Sequence, residues 1–185
     1  MATLMNVVAN KLCKNIKYWN NSDKILEDTL DVFSEMISSY NSSKTLLSLE
    51  AVKFLIQNHT GIHFPFLGFD NDNKFRIAFY TTLSRLVFLS AEDQYCSIDE
   101  FIVPNIDILH QLFVMPEITS SQCKIAIISA FRDLRGILTA SGNRRSYCLI
   151  FEALYPIVFQ LLRRVVDIWF ADPTVMTAVL KFLQV

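Results

Sequence analysis

The sequence contains few residues that interrupt helices, with only four glycines and five prolines among 185 residues. The segments between them are long, and their apolar residues recur at intervals of three and four positions. This is the period of amphipathic helices rather than of β-strands. The sequence therefore predicts an all-α fold.

An excess of charge of one sign is also lacking, because 17 Lys and Arg residues are balanced by 18 Asp and Glu residues. Proteins that bind nucleic acids through the phosphate backbone carry a marked basic excess on one face. We therefore expect no direct binding of nucleic acid by this chain.

Uninterrupted apolar runs are absent, although 52% of the residues are hydrophobic and the mean hydropathy is +0.32. Arg85 interrupts the run 77–89, and Arg163 and Arg164 interrupt the run 155–170, so neither reaches the roughly 20 apolar residues of a transmembrane helix. Residues 1–17 lack the apolar core and cleavage site of a secretory signal. The sequence predicts an intracellular chain with a large core and no membrane insertion.

Cysteine pairs at metal-ligand spacing are missing. Cys13, Cys96, Cys123 and Cys148 lie far apart, without a CxxC pair, and all but Cys96 fall among apolar helical residues. In an intracellular chain this pattern favours buried, reduced thiols over disulfides or a zinc site.

Catalytic motifs are also missing, since the chain has no glycine-rich phosphate loop, no GxSxG nucleophile motif and no HExxH pair. His59 and His63 have the spacing of two metal ligands on a helix, but Gly61 between them and Pro65 after them argue against a helix there. We therefore predict no catalytic residue, no metal site and no cofactor. The chain is expected not to be an enzyme.

Eight helical segments follow from the apolar period and from the turn residues between segments. Their approximate ranges are 4–19, 24–39, 43–58, 74–89, 97–113, 119–138, 147–169 and 173 onward. Ser22 or Asp23 is expected to cap the second segment, Pro104 to kink or restart the fifth, and Pro156 to bend the seventh. Polar turns are predicted at 70–73 and 92–95.

The loop 61–68 and the residue after it carry unusually large apolar side chains, at Phe64, Phe66, Leu67 and Phe69. Leaving each of them in water would forgo roughly 1.5 to 3 kcal/mol, so we expect them to fill a groove between neighbouring helices. An exposed docking patch is the alternative.

The predicted helices pair into about four hairpins. The second members begin near Lys24, Lys74, Ser120 and Thr174, which gives a repeat of roughly 50 residues, slightly longer than a HEAT repeat. Helices that are apolar on more than one side need neighbours before and behind, which stacking supplies. We therefore predict that residues 1–185 form a single HEAT or armadillo-like solenoid segment rather than a closed bundle.

Charged residues cluster at three places on the predicted helices. Arg132, Asp133 and Arg135 could act as a catalytic acid and electrophiles, but helical repeats commonly use such residues to pair with the neighbouring repeat, and we favour that structural interpretation. The pairs 144–145 and 163–164 are both Arg-Arg and can be solvated surface or partner contacts.

Short sequence motifs follow one another in a specific order along the chain. They are Lys17-Tyr18-Trp19, Tyr40, Ala51-Val52, Asn58-His59-Thr60, His63-Phe64, Phe66-Leu67-Gly68, Arg76, Phe79-Tyr80-Thr81, Glu92-Asp93-Gln94-Tyr95, Pro104, Arg132-Asp133-Leu134-Arg135-Gly136, Phe151-Glu152, Tyr155-Pro156, Trp169, Asp172-Pro173 and Val179-Leu180-Lys181. This ordered series resembles the exportin-7 family of nuclear transport receptors, in the importin-β superfamily. The motifs extend over nearly the whole chain.

This resemblance implies part of a nuclear export receptor that binds cargo proteins and Ran-GTP cooperatively, contacts nuclear pore proteins and shuttles between nucleus and cytoplasm. Because family members are several times longer, we expect a fragment from the middle of the family's chain, truncated at both ends and lacking the main Ran-binding repeats. The residues that contact cargo or Ran stay unassigned. A helical scaffold or adaptor unrelated to transport is the alternative.

Overall fold

A computed structural model describes residues 2–19, 22–68, 74–91 and 97–185. Within these ranges all regular elements are helical, as predicted. The α-helices are α1 (Ala2–Tyr18), α2 (Asp23–Ile37), α3 (Tyr40–Ser48), α4 (Glu50–Gln57), α5 (Arg76–Ala91), α6 (Ile98–Val114), α7 (Ser121–Thr139), α8 (Arg144–Leu154), α9 (Ile157–Trp169) and α10 (Pro173–Leu183), with a short 3₁₀ turn at Pro65–Leu67. The predicted turns at 70–73 and 92–95, Phe69 and Cys96 lie outside the described residues.

The helices are arranged as stacked pairs. Helices α2, α5, α7 and α10 follow one another side by side, and each contacts the next. Helix α1 packs on α2, α3 on α5, α6 on α7, and α9 on α10, so each member of that row has a partner helix across it. The second members begin at Asp23, Arg76, Ser121 and Pro173, each within two residues of the predicted start. The arrangement confirms a helical-hairpin solenoid.

Two of the predicted helices are broken, so ten helices replace the eight predicted within the described part of the chain. The segment 43–58 is interrupted at Leu49, whose backbone is extended between α3 and α4. The segment 147–169 is interrupted at Tyr155, which is extended and joined to Pro156 by a cis peptide bond. The residue before a proline avoids helical backbone angles, which explains a full break where a bend was predicted. No glycine or proline explains the break at Leu49.

Helix α6 continues through Pro104, so the predicted restart there is wrong. The beginnings of three helices carry side-chain caps: Ser120 accepts from the Cys123 amide, Asn143 from the Ser146 amide, and Asp172 from the amides of Thr174 and Val175. These bonds satisfy amides that have no partner within the helix. Ser22 occupies the N-cap position of α2, one of the two positions predicted, but its side chain forms no capping hydrogen bond.

The loop between α4 and α5 packs into the core. Phe64, Phe66 and Leu67 are 1%, 2% and 3% exposed, and the Phe66 ring meets the Phe79 ring of α5 at 5.1 Å between centroids. The predicted filling of a groove is confirmed for these three residues. The alternative, an exposed docking patch, is wrong for them.

The three described cysteines are free thiols with different exposure. Cys123 is buried, and Cys13 is half-buried, with its Sγ donating to the Ala51 carbonyl at 3.3 Å. Burial raises the pKa of Cys13 to about 11, so this thiol stays protonated. Cys148 is exposed on α8, which corrects the prediction that it is buried. Among the described helices, none combines the length and the low charge that crossing a bilayer requires.

Candidate functional site

A buried ion pair joins α5 to α7. The Arg76 Nε donates to the Asp133 Oδ1 at 2.8 Å, and the Arg76 Nη2 donates to the Asp133 Oδ2 at 2.5 Å. Each side chain is only 1% exposed, and Arg76 Nη1 also donates to the Gly68 carbonyl at 3.2 Å. Such a two-pronged bond holds both partners in one geometry. Arg76 therefore ties α7 to α5 and to the end of the preceding loop.

Burial and attraction act against each other in this pair. Burial raises the pKa of the Asp133 carboxyl, while the Arg76 guanidinium pulls it the other way. Burial also acts to lower the pKa of Arg76, but the attraction of Asp133 outweighs it and the pKa of Arg76 lies above its ordinary value. Because an arginine is always charged in proteins, Asp133 is the group that keeps a buried positive charge compensated.

A second polar cluster lies beside the pair. His59 Nε2 faces the Phe101 carbonyl at 3.0 Å, and His59 Nδ1 lies 3.3 Å from the Tyr80 hydroxyl. A carbonyl can only accept, so the proton sits on Nε2, while the Tyr80 hydroxyl donates to the His59 backbone carbonyl at 3.3 Å. Burial lowers the pKa of His59 to about 4 and raises that of Tyr80, so both are neutral at physiological pH. The cluster joins the α4–α5 connection to α5 and α6.

Gly136 allows α7 to approach α5 closely. A Cβ atom at this position would lie 2.8 Å from the Ile77 carbonyl oxygen and 2.8 Å from the Tyr80 Cβ, which no side chain tolerates without movement of the backbone. The Thr81 hydroxyl donates to the Gly136 carbonyl at 3.1 Å across the same contact. Glycine at this position is thus a packing requirement of the α5–α7 interface.

The side chains of Arg132, Asp133 and Arg135 divide between two surfaces. Asp133 bonds to the neighbouring helix pair, as the structural interpretation predicts. Arg132 and Arg135 instead line a groove of about 440 Å³ between the start of α5, α7 and α10. Lys74 and Lys181 bring two further positive charges to this groove. Periodicity along the sequence does not bring these four residues together, and the local signal for the groove is the three-residue spacing of Arg132 and Arg135.

Two residues of α9 hold the loop between α6 and α7. Arg164 donates to the carbonyls of Phe113, Met115 and Pro116 at the end of α6. The Trp169 indole donates to the Ile118 carbonyl at 2.9 Å. Arg164 is therefore not simply a solvated charge, which corrects that predicted alternative for this residue. Helix C-termini leave such carbonyls without partners, and these donors supply them.

The two histidines that have metal-ligand spacing, His59 and His63, lie in different environments. His59 lies in the buried cluster with Tyr80, whereas His63 lies in a turn, with its Nδ1 3.2 Å from the Thr60 hydroxyl and its ring against Phe54. In the part of the chain that the structure describes, no three His, Cys, Asp or Glu side chains come together as a metal site would need.

Comparison with known proteins relates the chain to one family. Residues 1–75 match the family described as Exportin-7-like, TPR domain. The chain is 30% identical to Exportin-7-B of Xenopus laevis and 32% identical to Ran-binding protein 17 of Homo sapiens, each over 97% of this chain. It is 33% identical to Ran-binding protein 16 of Drosophila melanogaster over 96% of this chain.

The chain spans about one sixth of the length of these relatives, 17% of each. No solved structure matches it. The similarity nevertheless extends over almost all of this chain, and the helical-hairpin fold agrees with it. The chain is therefore related to the exportin-7 family and matches a segment of its members.

Proposed function

We propose that this chain forms part of a nuclear export receptor that binds cargo proteins and Ran-GTP cooperatively. The observation that carries the proposal is 30–33% identity over 96–97% of the chain to proteins named exportin-7 or Ran-binding protein. Residues that carry the resemblance, among them Arg76, Asp133 and Gly136, lie where neighbouring helix pairs contact each other. The proposed role of residues 1–185 is to supply one solenoid segment to a larger binding surface.

Cooperative binding needs a physical link between two sites. If Ran-GTP and cargo both bind more tightly to one arrangement of stacked helix pairs, each ligand raises the affinity for the other by the same factor. The α5–α7 interface bears on this link because its ion pair and its glycine contact hold the two helices in one register. In this proposal the chain couples the two binding sites through the arrangement of its stacked helix pairs.

We propose that the chain has no catalytic role, no cofactor and no direct contact with nucleic acid or the membrane interior. The burial of Asp133 against Arg76 supports the first point, because the carboxylate has no access to a substrate. Nuclear pore proteins are the further partners proposed, with shuttling between nucleus and cytoplasm. The principal Ran-binding repeats are proposed to lie outside this chain.

A segment exchange tests the proposal. The matching segment of Xenopus laevis Exportin-7-B is replaced by this chain, and immobilised Ran carrying a non-hydrolysable GTP analogue is used to retain the chimera, with Ran-GDP as the negative control. We expect retention by Ran-GTP only, strengthened by added cargo. The same exchange with the matching segment of human Ran-binding protein 17 controls for the effect of any foreign segment.

One outcome contradicts the proposal. In that outcome the chimera with this chain folds but loses Ran-GTP binding or its dependence on cargo, while the control chimera keeps both. This chain then cannot replace the matching segment of an export receptor. That result would favour the alternative, a helical scaffold or adaptor unrelated to transport.

A further inference from the structure

The groove of about 440 Å³ between the start of α5, α7 and α10 is lined by positive charge. Lys74, Arg132, Arg135 and Lys181 line it, and its remaining lining consists of Ile77, Pro173, Thr174, Thr177 and Ala178. None of the lining residues within the described ranges carries a carboxylate. On a chain with net charge −1, the groove is therefore a local concentration of positive charge.

Three described carboxylates lie near lining residues of the groove, and none of them fills it. Asp133 is buried on the other side of α7 against Arg76, and Asp172 bonds to Lys124 at 2.5 Å. Asp23 reaches Lys74 at 3.2 Å, but both side chains are 69% exposed. A pair so open to solvent is weak, so a carboxylate from another molecule can compete with Asp23 for Lys74.

The chemistry of the groove argues for an acidic peptide over other anions. The four basic side chains come from three parts of the chain, the residues before α5, helix α7 and helix α10, which suits several carboxylates on one segment. A single phosphate would need a convergent anion site, and the first amides of α10 are already bonded to Asp172. Single-stranded nucleic acid would need aromatic stacking surfaces, and the described lining contains no aromatic ring.

We propose that this groove binds an acidic segment of a partner protein. Carboxylates of the partner pair with Arg135 of α7 and Lys181 of α10, and Lys74 and Arg132 add positive charge to the same groove. Ile77 and Ala178 offer apolar contact to the side chains between the carboxylates. The inference goes beyond nuclear export and does not depend on Ran binding.

Fluorescence anisotropy with a labelled peptide of alternating Glu and Leu tests the proposal on the full 185-residue chain. We expect binding that weakens as the salt concentration rises, because salt screens the attraction between exposed charges, with a Debye length of about 10 Å at 0.1 M ionic strength. A peptide with Gln in place of Glu is expected not to bind. The double variant R135E/K181E is expected to bind the Glu peptide about tenfold or more weakly, since two attractive pairs become repulsive.

The matched control is R144E/R145E, which changes the net charge equally at two exposed arginines of α8. It is expected to keep the affinity within about twofold. Circular dichroism and thermal unfolding verify the fold of each variant, and R135Q/K181Q takes the place of the reversed pair if that pair does not fold. Unchanged binding by the groove variant, or equal losses in both double variants, would overturn the proposal.

Three further results would also overturn it by identifying another occupant. Displacement of the peptide by inorganic phosphate, but not by sodium chloride of matched ionic strength, would identify a small-anion site. If single-stranded DNA displaced the labelled peptide as effectively as the unlabelled Glu peptide does, the groove would be a nucleic-acid surface. Markedly tighter peptide binding by D70N/D72N would identify this chain's own acidic segment as the occupant.

Discussion

Removing the charge of Asp133 should destabilise the protein strongly. Asn in its place keeps the size of the side chain but leaves the Arg76 guanidinium buried at 1% exposure without its counter-charge. Breaking one partner of a buried ion pair costs about 3 to 5 kcal/mol. Single domains are stable by only about 5 to 15 kcal/mol, so D133N should lose a large fraction of the free energy of unfolding.

A double-mutant cycle separates the cost of an unpaired charge from the value of the pair itself. The variants D133L, R76M and R76M/D133L are compared with the unsubstituted chain by urea denaturation followed by circular dichroism. Because the double variant buries no charge, it should be more stable than D133L, and its loss of stability should fall short of the sum of the two single losses by a coupling energy of roughly 1 to 3 kcal/mol. R76M also gives up the bond to the Gly68 carbonyl, so it tests that contact as well.

An exposed ion pair provides the control for this cycle. Lys24 and Asp28 are 2.7 Å apart on the surface of α2, with side chains 77% and 58% exposed. D28N should change the free energy of unfolding by no more than about 0.5 kcal/mol. If D133N were as mild as D28N, or if the double variant lost the full sum of both single losses, the assignment of Asp133 as the compensating charge would be refuted.

Two further substitutions test the packing and the electrostatics of the same region. G136A should lose about 1 to 3 kcal/mol of stability in urea denaturation, because its Cβ would meet the Ile77 carbonyl at 2.8 Å. G142A, with no atom within 4 Å of its Cβ, should be neutral or slightly stabilising, and equal losses would contradict the close-packing argument. His59 is neutral in the folded protein, where burial lowers its pKa to about 4 from the ordinary 6.5. Because the unfolded chain takes up this proton more readily, the free energy of unfolding should fall by roughly 3 kcal/mol as the pH drops from 6.5 to 4. H59Q should remove this part of the pH dependence and H110Q, at an exposed histidine, should retain it; identical pH profiles for H59Q and the unsubstituted chain would rule His59 out as the cause.

Much of the fold could be predicted because helices depend on local sequence. The three- and four-residue period of apolar positions located the helices, and the turn residues placed the starts of α2, α5, α7 and α10 within two positions. The burial of Phe64, Phe66 and Leu67 also followed from a local argument, the cost of exposing large apolar side chains. The break at Leu49 was not predicted, since no glycine or proline lies there.

The sequence by itself determined the all-α class, the succession of helix pairs and the relation to the exportin-7 family. Only the tertiary structure decided that Asp133 pairs with Arg76, 57 residues away, and that Arg132 and Arg135 turn to the groove that Lys74 and Lys181 share. Neighbouring positions on one helix point in different directions, and which surface each meets depends on the helices stacked against it. Periodicity is a property of one segment, whereas charge pairing and a basic groove are properties of several segments packed together.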